Sequence, residues 1–284
     1  MKLSKIFALL LALCLISSAA CAATFTDAHG NVIELDDSLE AYAAVTLVGA
    51  DNAARQGETN LGDLWADALR WFAVSGEINA AFDEDDVKAG NDRIAVDAEH
   101  VVALWNGGNL RADIAEGTFG AEALAEVLPF PNKVAVVYMT GAQLLETLEA
   151  ASQGLPYTAE TADACASLMQ VSGLTYTVDT AKAYDALEAY GDHWFTAGSV
   201  SRVRIDDVNG QPFDAEATYA VVTSNANFNG MDSSYVLKAA AEANEQSAVT
   251  TAVVRDVVFQ FIAAELNHQV GEAYAAPQGR LTVL

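Results

Sequence analysis

Apolar and polar positions along the chain follow two periods. In ETNLGDLWADALRWF, Leu61, Leu64, Trp65, Ala68, Leu69 and Phe72 recur at helical spacing, with Asn60 placed to cap the start and Asp63 in the first turn. A helix with one buried face is predicted there. Thr140 and Gln143 form a capping box ahead of Leu144, Leu145 and Leu148, so a second helix is expected. RDVVFQFIAAEL is read as a third amphipathic helix, and residues 119–128 as a short one. Continuous apolar runs predict buried strands in VTLVG, HVVALW, VAVVYM, LTYTV and YAVVTS, with GRLTVL as a closing strand.

Alternation on either side of HGN makes TFTDAHGNVIELDD a short hairpin, followed by the linker-like DDSLEAYAA. Asn209-Gly210 is a hairpin turn signal. FDEDDVKAGNDR and SQGLPYTAETADACAS are read as loops, and residues 181–199, which fit neither period, as an insertion. Helices and strands in mixed order, with a hairpin among them, predict an α+β fold: a mixed β-sheet packed with helices.

The N-terminus has a pattern of its own. Lys2 and Lys5 precede IFALLLALCLI and then SSAACAA, the layout of a secretory signal peptide over residues 1–23. The apolar run is too short to span a bilayer, so an exported protein, periplasmic or extracellular, is expected, with no membrane span. Ala20 and Ala22 fit a cleavage site. A lipid anchor at Cys21 is the alternative, although Ser18 stands where a leucine usually precedes such a cysteine. The domain reading is a signal over 1–23, an N-terminal hairpin and linker over 24–45, and one domain over 46–284.

Charge narrows the function classes. Loss of the two signal lysines takes the formal net charge from -25 to 12 - 39 = -27. So acidic a surface repels nucleic acid and anionic membranes, and no nucleic-acid partner is expected. Arginines are scarce, and each one beside a candidate pocket carries information. Once Cys14 leaves with the signal, Cys165 remains with at most Cys21, which rules out a disulfide framework or a cysteine metal site.

Two polar, glycine-containing loops follow apolar strands: LWNGGNLRADI and NANFNGMDSSY. Open sheets place ligands at the carboxyl ends of strands, glycine lets a ligand or another backbone approach, and arginine offers a planar fork of donors. Taken alone, NGGNLR favours the plainer reading, a surface turn with a solvated arginine, and only its context points to a ligand.

The series RQGETNLGDLWADAL, NGGNLRADI, VLPFPNKVAVVYMTGAQLLETLE, LMQVSGLTYTVD, NGQPFDAEATYAVVTSNANFNGMDSSY and GRLTV, in that order, resembles the C-terminal substrate-binding domain of the 5′-nucleotidase / UDP-sugar hydrolase family. The resemblance covers roughly residues 46 to 284. It implies a domain that binds the nucleoside part of a nucleotide, here as a stand-alone exported protein. It implies that Arg55 and Arg111 face the ribose, that Asn106 lies near the base, that Phe130 is one aromatic wall of a base clamp with Asn132 beside it, and that Asp232 pairs with ribose hydroxyls.

Several positions depart from the family. Ala226 stands at the second aromatic wall; Phe228, two residues on, replaces that wall if the chain there is extended. Asn109, Pro131, Met231 and Ser233 replace glycines. Family members hydrolyse phosphoesters with a separate two-metal metallophosphoesterase domain. The four histidines, His29, His100, His193 and His268, lack the spacings of its ligand motifs, so no metal site, cofactor or catalytic residue is assigned. Ser172 lacks a G-x-S-x-G frame, and no phosphate-cradling loop occurs. Three readings follow: a nucleoside- or nucleotide-binding module, the binding half of a split nucleotide hydrolase completed by a separate metallophosphoesterase chain, and a degenerate solute-capture or scaffold protein.

Overall fold

The structure, a computed structural model, describes residues 24–26, 32–34, 40–82 and 94–284. The signal-like segment with Cys21, residues 27–31 with His29 and nearly all of FDEDDVKAGNDR lie outside the described residues.

In chain order the chain forms β1 (Thr24–Thr26), β2 (Val32–Glu34), β3 (Ala41–Ala43), α1 (Ala53–Gln56), α2 (Asn60–Val74), β4 (Val101–Asn106), β5 (Gly117–Phe119) and α3 (Ala121–Val127). Next come β6 (Lys133–Thr140), α4 (Gly141–Ala151), β7 (Met169–Ser172), β8 (Leu174–Val178), β9 (Ala186–Tyr190), β10 (Trp194–Ala197) and β11 (Val203–Val208). The last elements are β12 (Thr218–Ser224), α5 (Asn225–Phe228), α6 (Tyr235–Ala243), β13 (Ala248–Val253), α7 (Val254–Ala264), β14 (Gln269–Val270) and β15 (Leu281–Val283). The fold is α+β, with mixed sheets packed by helices.

The central sheet has the order β13-β6-β12-β4-β7. β12 and β4 are parallel, and the other neighbours are antiparallel. Both faces are covered, which is why these strands read as unbroken apolar runs. Along β4, Val101, Ala103 and Trp105 join the core beneath α2 and α7, while Val102 and Leu104 join the core beneath α4 and α6. β12 alternates likewise, Ala220 and Val222 against Tyr219 and Val221. Two smaller sheets, β11-β8-β15 and β14-β3-β5, flank this layer.

The predicted helices form, with one shift in the first. Its apolar stripe is buried as expected, but the cap is Thr59, whose hydroxyl accepts from Gly62 N at 3.0 Å. Asn60 instead binds backbone: Val48 N donates to Oδ1 at 2.8 Å, and Nδ2 donates to Thr46 O and Tyr274 O. The capping box of Thr140 and Gln143 is present.

VTLVG is not a strand. Leu47 makes a single bridge to Ile114, and the next amides turn to side chains, Val48 N to Asn60 and Gly49 N and Ala50 N to Asp113, leaving no ladder to extend. The strand lies upstream, where Ala41–Ala43, inside the stretch read as linker, pairs with β5 and β14. The turn at Asn209-Gly210 forms, but Val208 makes only one bridge across it, to Gln211, and β11 pairs instead with β8.

Asp63, in the first turn of α2, is fully buried. One carboxylate oxygen accepts from Gln278 N at 3.1 Å; the other has no hydrogen bond and lies 3.8 Å from Arg280 Nε. Burial pushes its pKa up to about 8 against the pull of Arg280, with Glu58 adding to the rise. A folded-state pKa above the unfolded value means that this group's stabilisation is full below about pH 4 and is lost as pH rises to about 8. Asp63→Asn, which keeps an acceptor for Gln278, should therefore melt higher than the parent at pH 8, by several degrees, and near it at pH 4. An equal difference at both pH values in thermal melts would contradict this assignment.

Candidate ligand-binding site

One edge of the central sheet gathers four chain segments. β12 runs parallel to β4, so the loops leaving Asn106 and Ser224 emerge together. β6 is antiparallel to β12, so Phe130 to Asn132 enter the sheet at the same edge. β7 is antiparallel to β4 with Met169 opposite Asn106, which brings in the segment around residues 162–167. This is the strand-end location expected of a ligand site.

The glycines after Asn106 serve packing. A Cβ on Gly107 would overlap the carbonyl oxygen of Ala54 in α1, and one on Gly108 would lie 2.6 Å from the Ala166 methyl. Gly107 N also donates to Leu168 O at 2.7 Å. Both contacts seat the elements that carry and hold Arg55. The Arg55 side chain is nearly buried; its Nη1 donates to Ala162 O at 2.8 Å and stands 3.8 Å from Asp163 Oδ1.

Asn106 is buried and bridges two loops. Its Nδ2 donates to Asp232 Oδ2 at 2.9 Å, and its Oδ1 accepts from Asn109 Nδ2 at 2.8 Å. Asn109 thus orients the amide of Asn106, and the left-handed conformation that asparagine tolerates is not used. Asp232 itself is left-handed, at φ 55°, after Gly230 at φ 85°. Burial raises its pKa above the usual carboxylate range, opposed by Arg55, by the Asn106 hydrogen bond and by Arg111.

Arg111 is tied through its backbone N to Val127 O at 2.9 Å, and its guanidinium carbon stands 5.7 Å from the centroid of the Phe130 ring. Desolvation and the charge of Arg55 push its pKa down, while Asp232 pulls it up. Phe130 is 40% exposed, which makes it a surface ring with a cation beside it rather than a core plug. Asn132 is half-buried at the entry to β6, where its carbonyl accepts from Val254 N. Arg55, Asn106, Arg111 and Asp232 are coupled by hydrogen bonds or charge, and Phe130 joins them through Arg111.

Phe228 does not join them. Residues 225–228 form the helical turn α5, capped by Ser224 accepting from Asn227 N at 3.1 Å. Residues two apart on a helix point to roughly opposite sides, so Phe228 turns away from Ala226 and packs, partly buried, on the core beneath α4 and α6. The extended chain on which it would replace the second wall is absent.

Sequence reasoning also missed residues at the rim. Asp163 lies in a segment read as plain loop, and Tyr190, His193 and Trp194 in the stretch read as an insertion. The signal was the aromatic content of that insertion, which a free loop does not need.

Among the described residues no group of three or more His, Cys, Asp or Glu side chains is placed to hold a metal ion. His100 packs on Tyr219, His193 faces Asp163, and His268 Nδ1 lies 2.9 Å from Glu40 O. These dispersed donors do not fit a two-metal centre. The arrangement suits binding: a carboxylate to accept from a diol, two guanidinium groups, an oriented amide and one flat ring.

A family model described as 5′-nucleotidase, C-terminal domain, matches residues 40–239. The trifunctional nucleotide phosphoesterase protein of Bacillus subtilis (strain 168) is 28% identical over 188 residues, 65% of this chain and 10% of that protein. The 5′-nucleotidase precursor of Thermus thermophilus superposes with TM-score 0.61 at 29% identity, covering 86% of this chain and 39% of that one. Haemophilus influenzae NAD nucleotidase shares the fold at TM-score 0.57 and 14% identity, over 92% of this chain and 48% of its own. The chain thus spans less than half the length of each.

Proposed function

Because the chain belongs to the 5′-nucleotidase C-terminal domain family, we propose that it is an exported module that binds a nucleoside or nucleotide. The observation that carries this reading is the coupling of Asp232, Asn106, Arg55 and Arg111 beside the exposed ring of Phe130. In the bound state Asp232 accepts from the ribose hydroxyls, the base lies on Phe130, and the guanidinium groups face the sugar and any phosphate. Asn132 lines the base side. No helix among the described residues is long and apolar enough to cross a membrane. In this reading residues 1–23 act as the export signal, and the alternative is that the module is the binding half of a split nucleotide hydrolase completed by a separate metallophosphoesterase chain.

Ala226, with Phe228 turned into the core, favours a second reading, a scaffold that keeps the fold without the ligand. One ring in place of two removes about 1–3 kcal/mol of stacking. Equilibrium binding and turnover, measured together on the pure chain with AMP and a UDP-sugar, separate these readings. Saturable binding without turnover is expected. Hydrolysis abolished by a chelator would contradict the binding-module reading, and absence of binding up to millimolar ligand would favour the scaffold.

A further inference from the structure

The β9–β10 hairpin adds no residue to either core cluster; β9 is largely exposed and β10 half-buried. A lone two-stranded hairpin is marginal in water, so what holds it matters. Its tip is fixed at both sides of the candidate site. Tyr190 Oη donates to Gly230 O at 2.6 Å, two residues before Asp232. The fit is close: Gly230 is left-handed, and a side chain there would collide with the Tyr190 hydroxyl. The Tyr190 ring packs 5.6 Å from Tyr235, whose hydroxyl accepts from Ala197 N in β10. On the other side, Trp194 Nε1 donates to Ala164 O at 3.3 Å, and His193 Nε2 stands 3.8 Å from Asp163 Oδ2. Asp163 is the carboxylate that faces Arg55.

We propose that this hairpin is a strap that positions the loop presenting Asp232 and the 162–164 segment that holds the Arg55 guanidinium, with Tyr190 as the positioning residue for the Asp232 carboxylate. The inference rests on the nucleoside-binding reading and adds the element that sets its preference for a ribose diol. Asp232 sits in a left-handed turn closed by Met231 N on Ala226 O and Ser234 N on Met231 O, and Asn106 holds one oxygen of its carboxylate. The Tyr190 hydroxyl restrains the peptide that leads into it.

The test is Tyr190→Phe, which removes one oxygen and keeps the ring packed on Tyr235. Adenosine and 2′,3′-dideoxyadenosine are titrated into the parent and the variant, with Leu187→Ser, on the same hairpin and 67% exposed, as the control. Tyr190→Phe is expected to weaken adenosine binding three- to tenfold, to leave dideoxyadenosine within twofold and to keep the melting temperature, so the diol preference shrinks; Leu187→Ser should leave that preference unchanged. A purely structural hairpin would weaken both ligands alike. Parent binding with a diol preference that Tyr190→Phe leaves intact would overturn the strap and spare the binding reading. A parent that binds neither nucleoside would overturn both.

Discussion

Asp232→Asn should lower the affinity for a ribonucleoside by about 30- to 150-fold and leave the protein at least as stable. A hydrogen bond to a charged group contributes about 1.5–3 kcal/mol net, and a diol offers a carboxylate two. Asparagine keeps one neutral acceptor, so about 2–3 kcal/mol is lost, which sets the factor expected. Stability moves the other way. Burial raises the pKa of Asp232 in the folded chain, so its stabilisation is present at acid pH and is lost as pH rises through that raised value. Above that raised value the ionised group opposes folding. Asparagine removes that opposition and accepts the φ of 55° that alanine would resist. Calorimetric titration and a thermal melt of the same sample check both halves. Unchanged affinity, or a fall in melting temperature of several degrees, would contradict the role given to Asp232.

The second large effect is expected from a residue that touches no ligand. Gly107→Ala places a methyl group into the Ala54 carbonyl, a backbone atom that cannot swing aside. Relief requires α1 to move away from the end of β4, and α1 carries Arg55. A destabilisation of about 1–3 kcal/mol is expected, with a drop in melting temperature of roughly 2–12 °C and a further loss of nucleoside affinity of about tenfold. Gly57→Ala is the matched control, because nothing lies within 4 Å of a Cβ there and its φ of -179° suits any residue. A Gly107→Ala protein with the parent's stability and binding would show that the approach of α1 to this loop is not what seats Arg55.

Periodicity made the central layer legible. Leu61 to Phe72 and the runs of β4, β6 and β12 are long enough for burial on one face, or on both, to leave its mark on sequence. The β3 pairing left none. Three residues, Ala41–Ala43, are strand because Gly117–Phe119 and Gln269–Val270 meet them from far along the chain. VTLVG had strand composition, but side chains of Asn60 and Asp113 take its amides. The helical turn at 225–228 was hidden in asparagine-rich sequence that reads as loop, and its one local signal was Ser224 three residues before Asn227.

For the site, the matched motifs named the residues that the strand ends gather: Arg55, Asn106, Arg111, Phe130 and Asp232. They did not show how Asn109 holds Asn106, nor that the glycines of NGGN admit protein backbone. The strap at Tyr190 was illegible because a hydrogen bond between residues 40 positions apart has no periodicity.

The most direct test of the central claim is the affinity of the unaltered protein for adenosine against 2′,3′-dideoxyadenosine, titrated side by side in one buffer at pH 7.5. The account predicts saturable binding of adenosine at one site per chain and a deficit of about tenfold or more for the dideoxy compound, because only the first gives Asp232 a diol to accept from. Equal affinities, or no binding of either at millimolar concentration, would contradict it.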